Sequence, residues 1–471
     1  MPHPALPVQP KGMVWVGCGI LALIVLLHAG LIGMGRWQGD EYITFAFHRM
    51  YGLPSLFQRI LTWSPRPLSE SILWLYSLAV AETRRPLIVP FLTVLWMALI
   101  ASSVVTIRWG TLSREVLQYR LLIALALLAM FLLGHDISEM FFWPAGAVAY
   151  LVTLASITLV FGLMLDRDAA SPGTMVAEAA ALVVAATSSE IGALFAAALV
   201  LVRLPALRRH ATPLSLVSSI VPLMASLAII GMLAVGRAGS TEFPASGQST
   251  LHHPLASILA ALPRWLSELA APSAYHAGTI GIVLGVISKA LFFFGVRWSW
   301  QHVRHVPAPS MLSFVVALAA SAFGSIAAAY YQFGFLCCER HDTLRQCYIV
   351  LALAALAVCS AEWRPVGRTG MRMASLPLLA AALIPMSMRV PELAQDYSVY
   401  GRAITARAET WHSGMQADSA EMIFLLPPDG HVVHGIGLPA GRYALDADPP
   451  WWARGILLFF AKQVVEIRRL P

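Results

Sequence analysis

The sequence predicts an all-α, polytopic membrane protein, and three observations carry that expectation. Of its 471 residues 58% are hydrophobic and only 12% are Asp, Glu, Lys or Arg, where soluble domains run at about 25% charged. The mean hydropathy is +0.70. The apolar residues fall in blocks long enough for the roughly 20 helical residues that cross a bilayer. An ordinary soluble enzyme is excluded.

The formal net charge of +7 comes from 32 Lys and Arg against 25 Asp and Glu. The arginines sit between apolar blocks, where the positive-inside rule puts them. No basic run with interleaved aromatics appears, which argues against nucleic acid as a partner.

Residues 13–35 form the first block. It lacks a small-residue cleavage site before Arg36-Trp37-Gln38-Gly39-Asp40-Glu41 and reads as a retained span. Further blocks cover 87–107, 119–134, 145–165, 174–202, 213–235, 277–295, 311–331, 343–361 and 374–388. Four arginine clusters separate them: Arg108, Arg114 and Arg120; Arg203, Arg208 and Arg209; Arg297 and Arg304; Arg364, Arg368 and Arg372. All four are cytoplasmic if 69–81 lies along the outer face and 174–202 is two short helices meeting outside near Ser188-Ser189-Glu190. The rival makes 69–81 a short span and 174–202 one long one, which leaves the Arg108 cluster outside. The first satisfies more of the charge bias, and both put the N-terminus in the cytoplasm and the tail outside.

About eleven spans follow, with juxtamembrane helices on the outer face and outward segments at 36–86, 135–144, 236–276 and 332–342. The expected organisation is a transmembrane domain over 1–388, with 36–86 as its first outward loop, and an outward appendage over 389–471. The appendage is expected to be small and α/β, from strand-like Met422-Ile423-Phe424-Leu425-Leu426 and turn-rich Pro427-Pro428-Asp429-Gly430. No internal repeat is visible, so the inverted-repeat signature of many transporters is missing. The five cysteines lie mostly in apolar stretches and read as small buried hydrophobes. A bridge from Cys337 or Cys338 to Cys347 stays open if that loop faces an oxidising compartment.

The chemistry concentrates in the outward segments. Asp40 and Glu41 follow the first span directly, and Trp63-Ser64-Pro65-Arg66 comes later in the same loop. An acidic pair at a membrane exit is either a solvated loop feature or a base. The second segment reads His135-Asp136-Ile137-Ser138-Glu139-Met140-Phe141-Phe142-Trp143-Pro144, and Tyr150 follows. Interfacial anchoring accounts for the aromatics, but not for Asp136 and Glu139 three apart on one helical face beside His135. Glu190 lies deep in an apolar block, where an ionisable group is costly and marks a functional hypothesis unless a turn exposes it to water. Arg340, in Cys338-Glu339-Arg340-His341-Asp342, and Arg66 suit bidentate phosphate binding; each could instead snorkel to lipid headgroups. Lys289 is a further intramembrane charge. No GxxxxGK[ST], HExxH, GxSxG or strand-led GxGxxG is present, so nucleotide-driven chemistry has no support.

Taken together, Asp40-Glu41, Trp63 with Arg66, the aromatic-Trp-Pro-x-Gly segment from Phe142 to Tyr150, Ser188 to Glu190, and Glu339-Arg340 resemble the polytopic GT-C glycosyltransferase superfamily, with bacterial GtrII-like membrane proteins the nearest likeness. The terminal run from Asp448-Pro449-Pro450-Trp451-Trp452 to Phe459-Phe460 is similar to the closing motif of that superfamily. The resemblance implies a GT-C-like fold in a bacterial inner membrane. It implies a transferase that takes a sugar from a polyprenyl-phosphate carrier at the outer face and passes it to a surface glycan or lipid, with inversion. Asp40 or Glu41 would be the base toward the acceptor hydroxyl. Arg66, His135, Asp136, Glu139, Trp143, Tyr150, Glu190 and Arg340 would bind substrate and phosphate, and positive groups would stabilise the departing phosphate. Acidic pairs in this superfamily bind a divalent metal ion in some members and none in others, so the residues leave the cofactor open. The other readings are a flippase or transporter of lipid-linked glycans and a surface-polysaccharide polymerase or ligase.

Overall fold

The computed structural model describes residues 11–105, 114–134, 136–165, 171–210, 212–236, 250–270, 279–301, 303, 308–336, 338–363, 375–416, 418–435 and 437–470. His135, Cys337 and five of the predicted cytoplasmic arginines (Arg108, Arg304, Arg364, Arg368 and Arg372) lie outside the described residues, as does much of the segment 236–276.

Seventeen helices and one three-stranded sheet make up the described chain. In order the helices are α1 (Lys11–Ala29), α2 (Gly39–Tyr51), α3 (Leu53–Thr62), α4 (Pro67–Thr83), α5 (Ile88–Val105), α6 (Arg114–Leu132), α7 (Ser138–Phe141), α8 (Pro144–Met164), α9 (Pro172–Ser188) and α10 (Glu190–His210). Then follow α11 (Pro213–Gly236), α12 (Pro254–Ala270), α13 (Thr279–Trp300), α14 (Ala308–Phe333), α15 (Glu339–Trp363), α16 (Ser375–Met415) and α17 (Trp451–Phe460). The protein is an all-α, multi-pass membrane protein. Among the described residues seven stretches are long and apolar enough to cross a membrane: Gly12–Met34, Pro144–Met164, Pro213–Val235, Thr279–Trp300, Met311–Phe333, Glu339–Ala361 and Ser375–Met415. Ile88–Val104, Val116–Leu132 and Pro172–Ser188 are apolar but shorter.

Burial ranks these helices. The span in α8 is 83% buried inside the protein and that in α11 only 17%. Helix α8 is therefore the central post, packed against α5, α9 and α15, while α11 turns Val217, Ile220, Val221 and Met224 outward, the face a lipid tail would cover.

The long apolar block after Thr174 is two helices. Ser189 is extended (φ −153°, ψ 158°), and its hydroxyl accepts the Gly192 N–H at 3.0 Å, capping α10. Thr153 of α8 holds the same hydroxyl at 2.8 Å. The corner is tight because a Cβ on Gly192 would run into the Ala185 carbonyl. Glu190 thus begins a helix at a hairpin of helices. Helix α4 is anchored there as well, since Ser69 donates to Ser188 O at 2.8 Å.

The predicted strand at residues 422–426 is β1 (Glu421–Leu426), joined by β2 (Gly441–Ala444) and β3 (Val464–Arg469) in the order β1-β3-β2. β1 pairs parallel with β3, so the chain must cross over, and it does so through β2 and α17; β2 pairs antiparallel with β3. The expected boundary at 388/389 falls inside α16, which runs unbroken for 41 residues and carries the sheet on its far end. Helix α17 packs on α2. At the joint, the Trp37 ring meets Tyr42, Phe45, Tyr76, Trp411 and Phe459 edge-on at 5.0–6.1 Å. Cys347 is a buried free thiol and Cys338 is disulfide-bonded without it, so the bridge to Cys347 does not form.

Candidate active site

The first-loop arginine reaches the corner between α9 and α10. Arg66 caps the start of α4, and because Ser69 fixes that start to Ser188, its guanidinium meets Glu190 in a two-pronged pair, Nε to Oε2 at 2.8 Å and Nη2 to Oε1 at 2.8 Å. Nη2 also donates to the Tyr150 hydroxyl at 2.8 Å. Burial lowers the Arg66 guanidinium, but the facing Glu190 carboxylate, followed by Tyr150, outweighs it and raises the group above its ordinary range. Arg66 remains a cation in a dry setting.

A second arginine approaches from the start of α15. Arg340 Nη1 donates to Glu139 Oε2 at 3.0 Å, and its guanidinium lies 4.9 Å from the Trp143 ring centre and 5.9 Å from that of Tyr150, within cation–π range. Arg66 lies 5.2 Å from the same Tyr150 ring. The Tyr150 hydroxyl completes a chain to His341 Nε2 at 2.6 Å. The Trp-Pro-x-Gly segment explains how Glu139 gets there. Pro144 opens α8, where its missing N–H costs nothing, and a Cβ on Gly146 would collide with the Glu139 carbonyl. Only glycine lets the short α7 lie that close to α8.

Four segments distant in sequence thus bring together Arg66, Glu139, Trp143, Tyr150, Glu190 and Arg340, all singled out from sequence. The two arginines and two glutamates have side chains 16–20% exposed, partly open rather than sealed. Each guanidinium is paired with one carboxylate, and a phosphate would suit the same two forks. His341 belongs to the same cluster and was not separated from its neighbours by any sequence signal.

The acidic pair divides. Glu41 is 1% exposed and holds two helix starts, accepting Gln38 N–H and Ala145 N–H at 3.0 Å each. Burial pushes its carboxyl from 4.5 up to about 8; the nearby Trp143 indole opposes that, Asp40 adds to it, and the two N–H groups oppose it. Asp40 is exposed on the first turn of α2. Of the two, Asp40 is the one open to solvent, and Glu41 ties α2 to α8 two residues beyond Trp143.

Asp136 stands apart from the arginine cluster, against His434 and Glu339. Lys289 joins α13 to other helices through Leu269 O at 3.2 Å and Gln346 Oε1 at 3.4 Å. No family model matches the chain, and neither does any curated protein or solved structure.

Proposed function

We propose that this protein is a glycosyltransferase that moves a sugar from a polyprenyl-phosphate carrier to a cell-surface glycan or lipid at the outer face of the bacterial inner membrane, with the N-terminus cytoplasmic and the appendage outside. The observation that carries the reading is the pair of arginines converging on one tyrosine ring, each balanced by a displaceable glutamate. Two guanidiniums in a low-dielectric setting suit a phosphate that gains charge as it leaves. Membrane lipid is then both solvent and donor supply, which fits a chain without nucleotide-binding motifs.

The reaction follows from those groups. Asp40 takes the proton of the acceptor hydroxyl, the hydroxyl oxygen bonds to the anomeric carbon, and the bond from that carbon to the phosphate oxygen breaks. The polyprenyl phosphate departs with the electron pair, stabilised by Arg66 and Arg340. One displacement inverts the anomeric centre. Trp143 and Tyr150 offer flat faces for the sugar or the carrier.

The test is transfer by the purified full-length protein in vesicles supplied with polyprenyl-phosphate sugars and a lipid extract of envelope acceptors. A new glycosidic product with inverted configuration, lost in Asp40→Asn, supports the reading. Movement of the donor between leaflets with its chemical structure unchanged would favour a flippase and overturn it. A product extended by a whole oligosaccharide would make it a polymerase or ligase.

A further inference from the structure

We propose that Asp136, Glu339 and His434 form a binding site for a divalent cation of the zinc class, clamping the C-terminal appendage to the membrane domain. Their nearest ligand atoms all lie within 4.8 Å of one another. His434 Nε2 stands 3.0 Å from Asp136 Oδ2 and 4.0 Å from Glu339 Oε2. Donors bound at ~2.0–2.2 Å around a tetrahedral ion sit ~3.4 Å apart. The first spacing is close to that, and the second closes with a small movement of Glu339, whose side chain is 54% exposed.

The three residues are held in register by bonds to their backbones and to the loop before His434. The Ser138 hydroxyl donates to His434 O at 2.8 Å and accepts His434 N–H at 2.9 Å, pinning the histidine backbone to the segment carrying Asp136. The Thr343 hydroxyl contacts both Asp136 O and Glu339 O, locking the two acids' backbones together. The loop before His434 is wrapped on Asp396, whose carboxylate accepts the N–H groups of His431, Val432 and Val433 at 2.6, 3.1 and 2.8 Å. Arg36 adds a bond to Val433 O at 3.0 Å. Orientation by such outer bonds is what metal ligands require.

Charge and donor type select the ion. Two carboxylates meet beside a single imidazole, an arrangement that a shared cation neutralises. One imidazole nitrogen with two carboxylates suits zinc better than magnesium, which prefers oxygen and retained water. Three protein ligands leave a coordination position open. The acid ligands lie in two of the four segments that build the arginine cluster, Glu339 beside Arg340 and Asp136 three residues before Glu139. The inference stands on these residues alone and does not depend on the transferase reading.

Zinc chloride titrated by calorimetry into chelator-stripped, full-length protein in detergent tests it. One ion per chain is expected, with affinity reduced at least about tenfold in Glu339→Gln and in His434→Gln, and unchanged in Glu466→Gln on the far strand. Both ligand side chains are partly exposed, and metal-free melting temperatures matching the parent confirm that the variants fold. Zinc should raise the melting temperature of the parent and not of the two variants. Absence of saturable binding, or equal affinity in parent and both variants, overturns the site. Stronger stabilisation by magnesium than by zinc overturns the choice of ion.

Discussion

Two arginine–glutamate pairs in this protein are each joined by two hydrogen bonds and differ in their surroundings. Arg66 and Glu190 meet through two hydrogen bonds of 2.8 Å. Arg345 directs Nε at both oxygens of Glu268, at 3.1 and 2.9 Å. The second pair is sealed, with side chains 1% and 4% exposed, and is extended by Asp342 and by Arg264, which reaches Glu268 at 3.4 Å. The first pair is 16% exposed on both sides, and its arginine also serves a tyrosine. A closed pair of this kind joins α12 to α15 and has nowhere to admit a ligand. An open pair beside aromatic rings can exchange its carboxylate for a phosphate. The lesson is that charge pairing alone does not distinguish a site from a strut; access and neighbouring groups do.

That contrast can be broken by substitution. Arg345→Met leaves Glu268 buried beside the half-exposed Arg264 and the nearby Lys289. Losing one partner of a buried pair costs about 3–5 kcal/mol, toward the lower end here. Melting in detergent should show it, with most of the loss recovered when Glu268→Leu is added. Activity per folded molecule should not change; a rate loss would place this pair in the site. Arg66→Lys keeps a charge but not the fork. We expect transfer to fall about 10²–10³-fold, as for loss of one transition-state donor, with melting little altered. Loss of melting with transfer intact would reverse the roles assigned to the two pairs.

Smaller effects sharpen the comparison. Gly146→Ala drives a methyl into the Glu139 carbonyl and lies within 2.9 Å of the Trp143 ring, so it should cost about 1–3 kcal/mol and weaken transfer by moving Glu139 away from Arg340. Normal transfer in this variant would remove Glu139 from the site. Glu41 adds a pH signature. Its carboxyl is raised from 4.5 to about 8, so the folded state binds a proton that the unfolded state has released. The associated stability is complete below pH 4.5 and is lost as pH rises to about 8, at no more than about 1.4 kcal/mol per pH unit. The difference in melting between parent and Glu41→Gln, followed across that range, isolates it; a flat difference would show that Glu41 is ionised throughout.

Much of the open site was legible before the fold. Glu190 stood out because an ionisable group deep in an apolar block is costly, Arg66 and Arg340 because arginine suits bidentate phosphate binding, and the aromatic-Trp-Pro-x-Gly run through the family resemblance. What could not be read was which charge would be used for what. Asp40 and Glu41 are adjacent acids with equal claims in sequence, yet one is exposed and the other is enclosed by two helix starts 104 residues apart. His434 gave no sign, because its partner Asp136 lies 298 residues earlier. Glu268 and Arg345 carried no signal in the sequence; they meet because α12 packs on α14.

The sequence by itself determined the class of protein, since 12% charged residues cannot cover a water-facing surface and apolar blocks of bilayer length have one favourable environment. It favoured a break near Ser188-Ser189-Glu190 through the placement of the arginines, and the Ser189 cap and the close approach at Gly192 are what the structure adds there. Tertiary structure alone decided which acids are spent on backbone N–H groups, which are paired with arginine, and which meet beside His434. Those choices depend on burial and on contacts between distant segments, and neither is a property of local sequence.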